Sequence, residues 1–198
     1  MPSIGITGGI ACGKSIVTNF LAQTMKTTPF NADQEIAFLL DHNPEVAKEI
    51  RAHFGNASYD NQSKANRAFL RSQIIADPKA KQTLEEILHP RLREKWHPQA
   101  MAALDNPHLL FLAEIPLLYE KNLSNCFDRI IVVAASEHIQ LQRLTHNRHL
   151  PHSIALQLLN LQMPLTEKIA RADYVFWNDG SEETLKQQCR VFLQANQF

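Results

Sequence analysis

The sequence predicts an α/β fold, and two observations carry this prediction. The first is a phosphate-binding motif within the first fifteen residues, with an apolar strand (residues 4–7) before it and a helical stretch after it. The second is the pair of continuous apolar runs at 109–113 and 129–134, typical of parallel strands covered on both faces. Helical segments alternate with these runs. We therefore expect three α/β/α layers around a five-stranded parallel sheet.

The motif itself is a phosphate loop (P-loop). Gly8, Gly13, Lys14 and Ser15 fill its fixed positions. Successive backbone N–H groups would form an anion nest, and the following helix would add about half a positive charge at its N-terminus. Lys14 would serve the β- and γ-phosphates and Ser15 would ligate Mg²⁺. A glycine-rich turn without a nucleotide is the alternative, but the lysine, the hydroxyl and the preceding strand all disfavour it.

After the first helix, residues 28–31 predict a short second strand, and residues 34–40 predict a helix. Asp33 lies between them, at the carboxyl end of the strand. In open parallel sheets that end faces the ligand crevice, as does the P-loop. We therefore expect Asp33 at the reaction centre; an N-cap of the following helix is the alternative use of this residue.

Residues 43–104 have a helical pattern. Asn43 and Pro44 offer an N-cap and a proline at the first helical position, and Gly55 offers a C-cap. Further helices are predicted at 64–76, 78–88 and 90–104. This much helix between two strands exceeds an ordinary crossover. We interpret residues 34–106 as an inserted subdomain that binds the acceptor substrate.

The remaining elements complete a single domain over residues 1–198. Ser136 caps a predicted helix that runs to about residue 147, residues 148–171 fall where a mobile lid would lie, and a strand (174–177) and a helix (181–195) follow. The core then comprises residues 1–33, 107–147 and 172–198.

Composition excludes several classes of protein. The 20 basic and 20 acidic side chains leave no net charge to attract nucleic acid or an anionic membrane. The apolar run at 109–119 is interrupted by Glu114 and is far shorter than the roughly 20 residues that span a bilayer. No signal segment precedes the first strand. Three separated cysteines without a CxxC pair favour a reducing cytoplasm over a disulfide framework.

The distribution of chemical groups favours a kinase over a switch or a motor. The sequence has no N-K-x-D or T-K-x-D motif for reading guanine. An acid after the second strand can orient or deprotonate an acceptor hydroxyl, and arginines before the last strand can neutralise the transferring phosphoryl group.

Further motifs sharpen this hypothesis into a family. They are the P-loop with its preceding Thr7, Ala32-Asp33, Leu88-His89-Pro90, the segment IPLLYE at 115–120, and ADYV at 172–175 followed by Asn178. In this order they resemble the dephospho-CoA kinase family over essentially the whole chain. The resemblance implies a P-loop kinase fold and phosphorylation of the ribose 3′-hydroxyl of dephospho-CoA with ATP and Mg²⁺. It implies small-molecule substrates and no obligate protein partner.

The resemblance also implies a set of site residues. Catalytic roles fall on Asp33, Lys14, Arg143 and Arg148. ATP binding falls on Gly8, Gly9, Ala11, Cys12, Gly13, Lys14, Ser15, Ile16, Arg143 and Asn178. Acceptor binding falls on Asp33, Arg67, Arg71, His89, Pro116, Leu117 and Leu118.

Several of these roles have a structural alternative. His89 and Pro90 form either a structural turn or part of the acceptor cleft. Arg67 and Arg71 share a helix face, which either grips phosphate or is merely solvated. Arg143 either contacts ATP or forms a surface ion pair. Glu120 is favoured as a structural anchor.

The lid departs from the family pattern. Asn147 and Leu158 stand where arginines are common, and Arg148 is the nearest substitute for the first of them. Which arginine acts from the lid therefore stays open.

Two other residues are unusual for the family. Cys12, near Lys14 and a helix N-terminus, is expected to hold a stabilised thiolate whose oxidation or alkylation inhibits the enzyme; an inert filler is the alternative. Trp177 is expected to end a buried strand, and packing near adenine is the other reading.

Two rival functions follow from the same motifs. One is another small-molecule or nucleoside-monophosphate kinase on this scaffold. The other is a nucleotide-binding regulator that has lost catalysis, and the presence of Lys14, Ser15 and Asp33 together argues against it.

Overall fold

The computed structural model describes residues 3–106 and 108–198 and contains a five-stranded parallel sheet. The strands are β1 (Ser3–Gly8), β2 (Phe30–Asn31), β3 (Phe111–Glu114), β4 (Arg129–Ala134) and β5 (Tyr174–Trp177). Their order across the sheet is β2-β3-β1-β4-β5. The strand β1 is therefore central, with Gly5 paired to Ala113 on one side and Ile130 on the other. The predicted α/β class and five parallel strands are confirmed.

Helices connect these strands. They are α1 (Lys14–Met25), α2 (Ala32–His42), α3 (Pro44–Phe54), α4 (Arg67–Ala76), α5 (Pro78–Asp105), α6 (Glu137–Gln142), α7 (His152–Asn160), α8 (Leu165–Ala170) and α9 (Glu182–Ala195). A π-helical turn, Arg143–Asn147, extends α6. None of the helices in the described ranges is both long and apolar enough to cross a membrane.

The chain divides into two compact units. One comprises the described residues up to Asn31 together with Pro98–Phe198, and the other comprises Ala32–His97. In the first unit, buried side chains of the central strands, such as Ile6 and Val133, belong to one core with buried side chains of the helices. Examples from the helices are Val17 of α1 and Phe192 of α9. Burial of these apolar groups is the main force that holds the strand ends in register.

The second unit has its own small core. Leu40, Val46, Ile50 and Leu70 are buried there, and the Tyr59 hydroxyl donates a hydrogen bond of 2.9 Å to the Leu40 carbonyl oxygen. The Asn43 side chain caps α3 through the backbone N–H groups of Glu45 and Val46, and the Gly55 N–H ends that helix at the Arg51 carbonyl. Both predicted caps are confirmed.

The prediction of two separate helices at 78–88 and 90–104 is wrong. A single helix, α5, runs through His89 and Pro90, so the structural turn that was one of two alternatives there is not formed. Proline in a helix loses one hydrogen bond. Leu88, Leu92 and Trp96 recur every four residues and are all buried, so one packed helix face offsets that loss.

Candidate active site

The P-loop backbone depends on glycines at its two ends. Gly8 ends β1 with φ +144°, and a Cβ atom there would overlap the Val133 carbonyl oxygen of β4. Gly13 precedes α1 with φ +91°, and a Cβ atom there would overlap the amide nitrogen of Asn178. Ala11, between them, also has a left-handed φ of +58°. Only glycine fits the two end positions, because both the space and the dihedral angles exclude a side chain.

The two polar side chains at the start of α1 form hydrogen bonds within the protein. The Lys14 side chain is almost completely buried, and its Nζ donates a hydrogen bond of 2.9 Å to the Gly9 carbonyl oxygen. The Ser15 hydroxyl donates a bond of 3.1 Å to Glu114 Oε1. Both side chains therefore lie within the loop region, where the sequence motif requires them.

Glu114 is a site residue that the sequence analysis missed. It ends β3 and is 2% exposed, and its Oε2 accepts a bond of 3.1 Å from the Asn31 side chain at the end of β2. A buried carboxylate beside the serine of a P-loop supplies oxygen atoms, the ligands that Mg²⁺ prefers. Its signal in the sequence is the single acid that directly follows the apolar run at 109–113.

Arg143, which follows α6, and Asn178, which follows β5, bind the backbone of the P-loop. Arg143 donates to the carbonyl oxygens of Ala11 (3.2 Å) and Asn178 (2.9 Å). The Asn178 side chain is buried and donates to the Cys12 carbonyl oxygen at 2.8 Å. Arg143 begins the π-helical turn after α6, a feature frequent at functional sites. Within residues 3–106 and 108–198 Arg143 forms no ion pair of the kind considered for it, and its guanidinium instead binds backbone oxygens.

The end of β5 is more exposed than expected. Trp177 ends β5 as expected, but it is 46% exposed, so the expectation that the strand is buried there is wrong. Its backbone forms two hydrogen bonds with the Gln188 side chain. Two residues on, a hydrogen bond from the Ser136 N–H lowers the pKa of Asp179.

The segment at 115–120 packs inside the first unit. Leu118 is completely buried and, like Phe127, lies against Gly5. The Pro116 carbonyl oxygen accepts a bond of 3.1 Å from the Thr7 hydroxyl, and Leu117 is half-buried. Leu118 is thus part of the core, whereas Pro116 and Leu117 keep some exposed surface.

Arg148 and Ile16 occupy different environments in the first unit. Arg148 is exposed directly after the π-helical turn. Ile16 is half-buried in the first turn of α1 and packs against the core.

The remaining predicted residues belong to the second unit. Asp33 is exposed and is the second residue of α2, so it lies inside the first turn and is not the N-cap considered for it. Arg67 forms an ion pair of 2.8 Å with Asp41. Burial alone would raise the pKa of Asp41, but the Arg67 hydrogen bond, aided by the Ala65 N–H, holds that pKa below its usual value.

Arg71 and His89 complete this set. Arg71 is half-buried on α4 and forms no ion pair within residues 3–106 and 108–198. His89 is also half-buried and lies in the middle of α5, next to Pro90.

The stabilised thiolate expected at Cys12 is wrong. The Cys12 side chain is completely buried. Burial raises the pKa of its thiol, and the nearby Lys14 charge only partly opposes this effect. A thiol that is buried and protonated reacts slowly, because the thiolate is the nucleophile. Cys12 therefore acts as a small apolar filler beneath the loop.

The comparisons with known proteins agree with this geometry. A family model described as dephospho-CoA kinase matches residues 2–184. The chain belongs to the dephospho-CoA kinase family. Dephospho-CoA kinases of Thermosynechococcus vestitus and Syntrophotalea carbinolica are 37% and 34% identical to it. Each alignment covers 93% of this chain and 90% or 87% of the relative.

Solved structures give the same result. A Thermus thermophilus protein superposes with a TM-score of 0.73 at 29% identity, over 97% of this chain and 96% of the other. The dephospho-CoA kinase of Campylobacter jejuni superposes with a TM-score of 0.62 at 27% identity, over 98% and 96% of the two chains. Shikimate kinase of Acinetobacter baumannii, at 17% identity and a TM-score of 0.54, shows the shared fold.

The first prediction concerns the second loop glycine. Gly13→Ala should weaken MgATP binding at least about tenfold, because the new methyl group has a strained φ and displaces Asn178 from the Cys12 carbonyl. A titration with a fluorescent ATP analogue measures this. Gly180→Ala is the matched control, since its Cβ would make only ordinary contacts. Equal affinities of the two variants would contradict the assigned geometry.

The second prediction concerns thiol reactivity. All three cysteines are buried and form no disulfide bond in the described part of the chain, and burial raises the pKa of Cys12 and raises that of Cys189 to about 11. Native protein at pH 8 should therefore react with a thiol reagent at least about a hundred times more slowly than protein in denaturant. Mass spectrometry of the labelled peptides measures each site. Rapid native labelling of Cys12 at neutral pH would restore the thiolate hypothesis.

Proposed function

We propose that this chain catalyses transfer of the γ-phosphoryl group of ATP to the ribose 3′-hydroxyl of 3′-dephospho-CoA, giving coenzyme A and ADP. The observation that carries the proposal is the match to the dephospho-CoA kinase family over residues 2–184, joined to an intact P-loop with Lys14 and Ser15 in place. The two dephospho-CoA kinases that it resembles align over 87% and 90% of their own length.

In this proposal the first unit binds the phosphate groups of ATP. The loop N–H groups and the N-terminus of α1 would bind the β- and γ-phosphates. Lys14 would exchange its bond with the Gly9 oxygen for phosphate oxygens. Arg143 already lies beside the loop and would stabilise charge on the transferring group. Arg148, exposed on the segment 148–171 that we propose as a lid, is the candidate for a second cation.

A magnesium ion fits the oxygen atoms next to the loop. We propose that the Ser15 hydroxyl binds it directly and that Glu114 holds its water ligands, since Mg²⁺ usually takes few protein oxygens and completes its shell with phosphate and water. When bound, the ion would neutralise phosphate charge and orient the γ-phosphoryl group. Asn31 would hold Glu114 in place through its bond to Oε2.

The acceptor side falls to the second unit, Ala32–His97, which we propose as the acceptor-binding subdomain in place of the broader range 34–106. Asp33 follows β2 by two residues and would accept the proton of the 3′-hydroxyl or orient that group. Arg71 would be free to contact an acceptor phosphate, whereas Arg67 would first have to leave Asp41. His89 of this unit remains a proposed acceptor contact, as do Pro116 and Leu117, which belong to the first unit.

The protein would need only small-molecule substrates and would work in the cytoplasm. Three cysteines that form no disulfide bond among the described residues support a reducing compartment. The rival kinases on this scaffold are separated by product analysis: phosphate should appear on dephospho-CoA and not on nucleoside monophosphates or shikimate. A regulator without catalysis would bind ATP but release no ADP when dephospho-CoA is added.

The third prediction tests the assigned base. Asp33→Asn should lower kcat with dephospho-CoA by about 10²–10⁴-fold while leaving the affinity for MgATP unchanged, because a general base acts only on the acceptor. A coupled assay of ADP release measures this. Asp105→Asn, an exposed residue at the end of α5, serves as the control. Near-normal turnover of Asp33→Asn would remove that role, and no turnover of the wild type would remove the proposed function.

The fourth prediction tests the proposed role of Glu114 in holding the water ligands of Mg²⁺. Glu114→Gln should raise the Mg²⁺ concentration for half-maximal activity about tenfold, because an amide holds the water shell of a divalent cation less well than a carboxylate does. Activity at fixed ATP across a Mg²⁺ titration measures this. Glu137→Gln, an exposed acid on α6, is the control. An unchanged Mg²⁺ requirement would assign Glu114 to packing alone.

A further inference from the structure

A buried ion pair joins the P-loop to the end of the proposed lid. Lys168 of α8 is completely buried, and its Nζ lies 2.8 Å from Glu120 Oε1. The same nitrogen donates to the carbonyl oxygens of Pro116 at 3.2 Å and Gly8 at 3.5 Å. An ammonium group has three donors, and three acceptors surround this one. No motif of the sequence analysis included Lys168.

The contact with Gly8 places this pair at the start of the anion nest. Gly8 is packed against the Val133 carbonyl on one side, and its own carbonyl faces Lys168. Because the peptide unit is planar and trans, the Gly8 carbonyl and the Gly9 N–H point in opposite directions. Holding the oxygen toward Lys168 therefore turns the Gly9 N–H away from it.

The other end of the pair reaches the lid. Glu120 Oε1 also accepts a bond of 3.1 Å from the Met163 N–H, at the point where the chain passes from α7 to α8. A second link lies close by: the Tyr119 hydroxyl donates to the Arg171 carbonyl at 2.8 Å, and the Arg171 guanidinium stacks on the Tyr119 ring. The C-terminal base of segment 148–171 is thus fixed to residues 116–120.

The pair is poorly suited to a purely stabilising role. Glu120 Oε2 is buried and has no hydrogen-bond partner in the part of the chain that the structure describes. A buried ion pair with an unsatisfied oxygen contributes little net stability, and apolar residues of similar volume often replace such pairs without loss. An apolar pair would not reproduce the hydrogen bonds that this pair forms with the Gly8 carbonyl and the Met163 N–H.

We propose that Lys168 and Glu120 are positioning residues for MgATP binding: together they fix the Gly8 carbonyl, and so the first N–H of the nest, to the base of the lid. This inference rests on the nucleotide-binding part of the proposed function and is independent of the acceptor. Lys168 and Glu120 would act through the Gly8 peptide and the Met163 N–H, to which they are hydrogen-bonded.

The decisive variant replaces the pair with apolar residues. Lys168→Met with Glu120→Leu removes both charges together, so neither is left buried alone. We expect this double variant to keep its circular dichroism spectrum and cooperative thermal unfolding but to bind MgATP about tenfold more weakly. In the ADP-release assay, KM for ATP should rise while KM for dephospho-CoA stays within about twofold, a split that general destabilisation does not produce.

The matched control is Lys186→Met with Glu182→Leu. It carries the same substitutions at an ion pair of 2.6 Å on the exposed surface of α9, and its MgATP affinity should equal that of the wild type. Glu120→Gln, which keeps the side chain's size, should show a smaller loss in the same direction.

Three outcomes would overturn the proposal. One is a folded double variant that binds MgATP as the wild type does. Another is a double variant that does not fold, which would assign the pair to the fold itself. A third is an equal rise of KM for both substrates. Failure of the wild type to bind MgATP at all would instead reject the proposed nucleotide site, and absence of acceptor-dependent turnover with MgATP still bound would reject only the assigned acceptor.

Discussion

The P-loop of this protein depends on the close approach of Gly8 to the Val133 carbonyl oxygen. No side chain fits between them, so the last residue of β1 lies directly against β4 and the chain can leave the sheet in a left-handed conformation. This contact fixes where the nest begins. The parallel pairing of β1 with β3 and β4 then places the ends of its neighbours around the loop.

The surrounding side chains orient the loop by binding its carbonyl oxygens. Lys168, Lys14, Arg143 and Asn178 donate to the carbonyls of Gly8, Gly9, Ala11 and Cys12. Four polar side chains of the first unit therefore donate to carbonyl oxygens of the loop backbone. Since a trans peptide directs its N–H opposite to its C=O, these bonds favour an arrangement in which N–H groups turn toward the anion. The site is thus prepared by hydrogen bonds as well as by net charge.

Features that depend on residues close together in the chain were predicted well from the sequence. The caps at Asn43 and Gly55, the strands β4 and β5 and the P-loop each depend on residues adjacent in the chain, and all are confirmed. Predictions that depended on burial were less successful. Cys12 beside Lys14 suggested a thiolate, but complete burial raises the pKa of its thiol. Pro90 suggested a break, but the buried face formed by Leu88, Leu92 and Trp96 keeps α5 continuous.

By itself the sequence determined the phosphate-binding motif, the alternation of strands and helices, and the family, because spacing and residue type are local properties that need no knowledge of packing. Only the tertiary structure decided which distant groups meet the loop. Glu114 lies 99 residues from Ser15, and Lys168 lies 160 residues from Gly8, yet each pair is in hydrogen-bond contact. Such contacts arise when apolar burial sets the order of strands in the sheet, and no local pattern encodes that order.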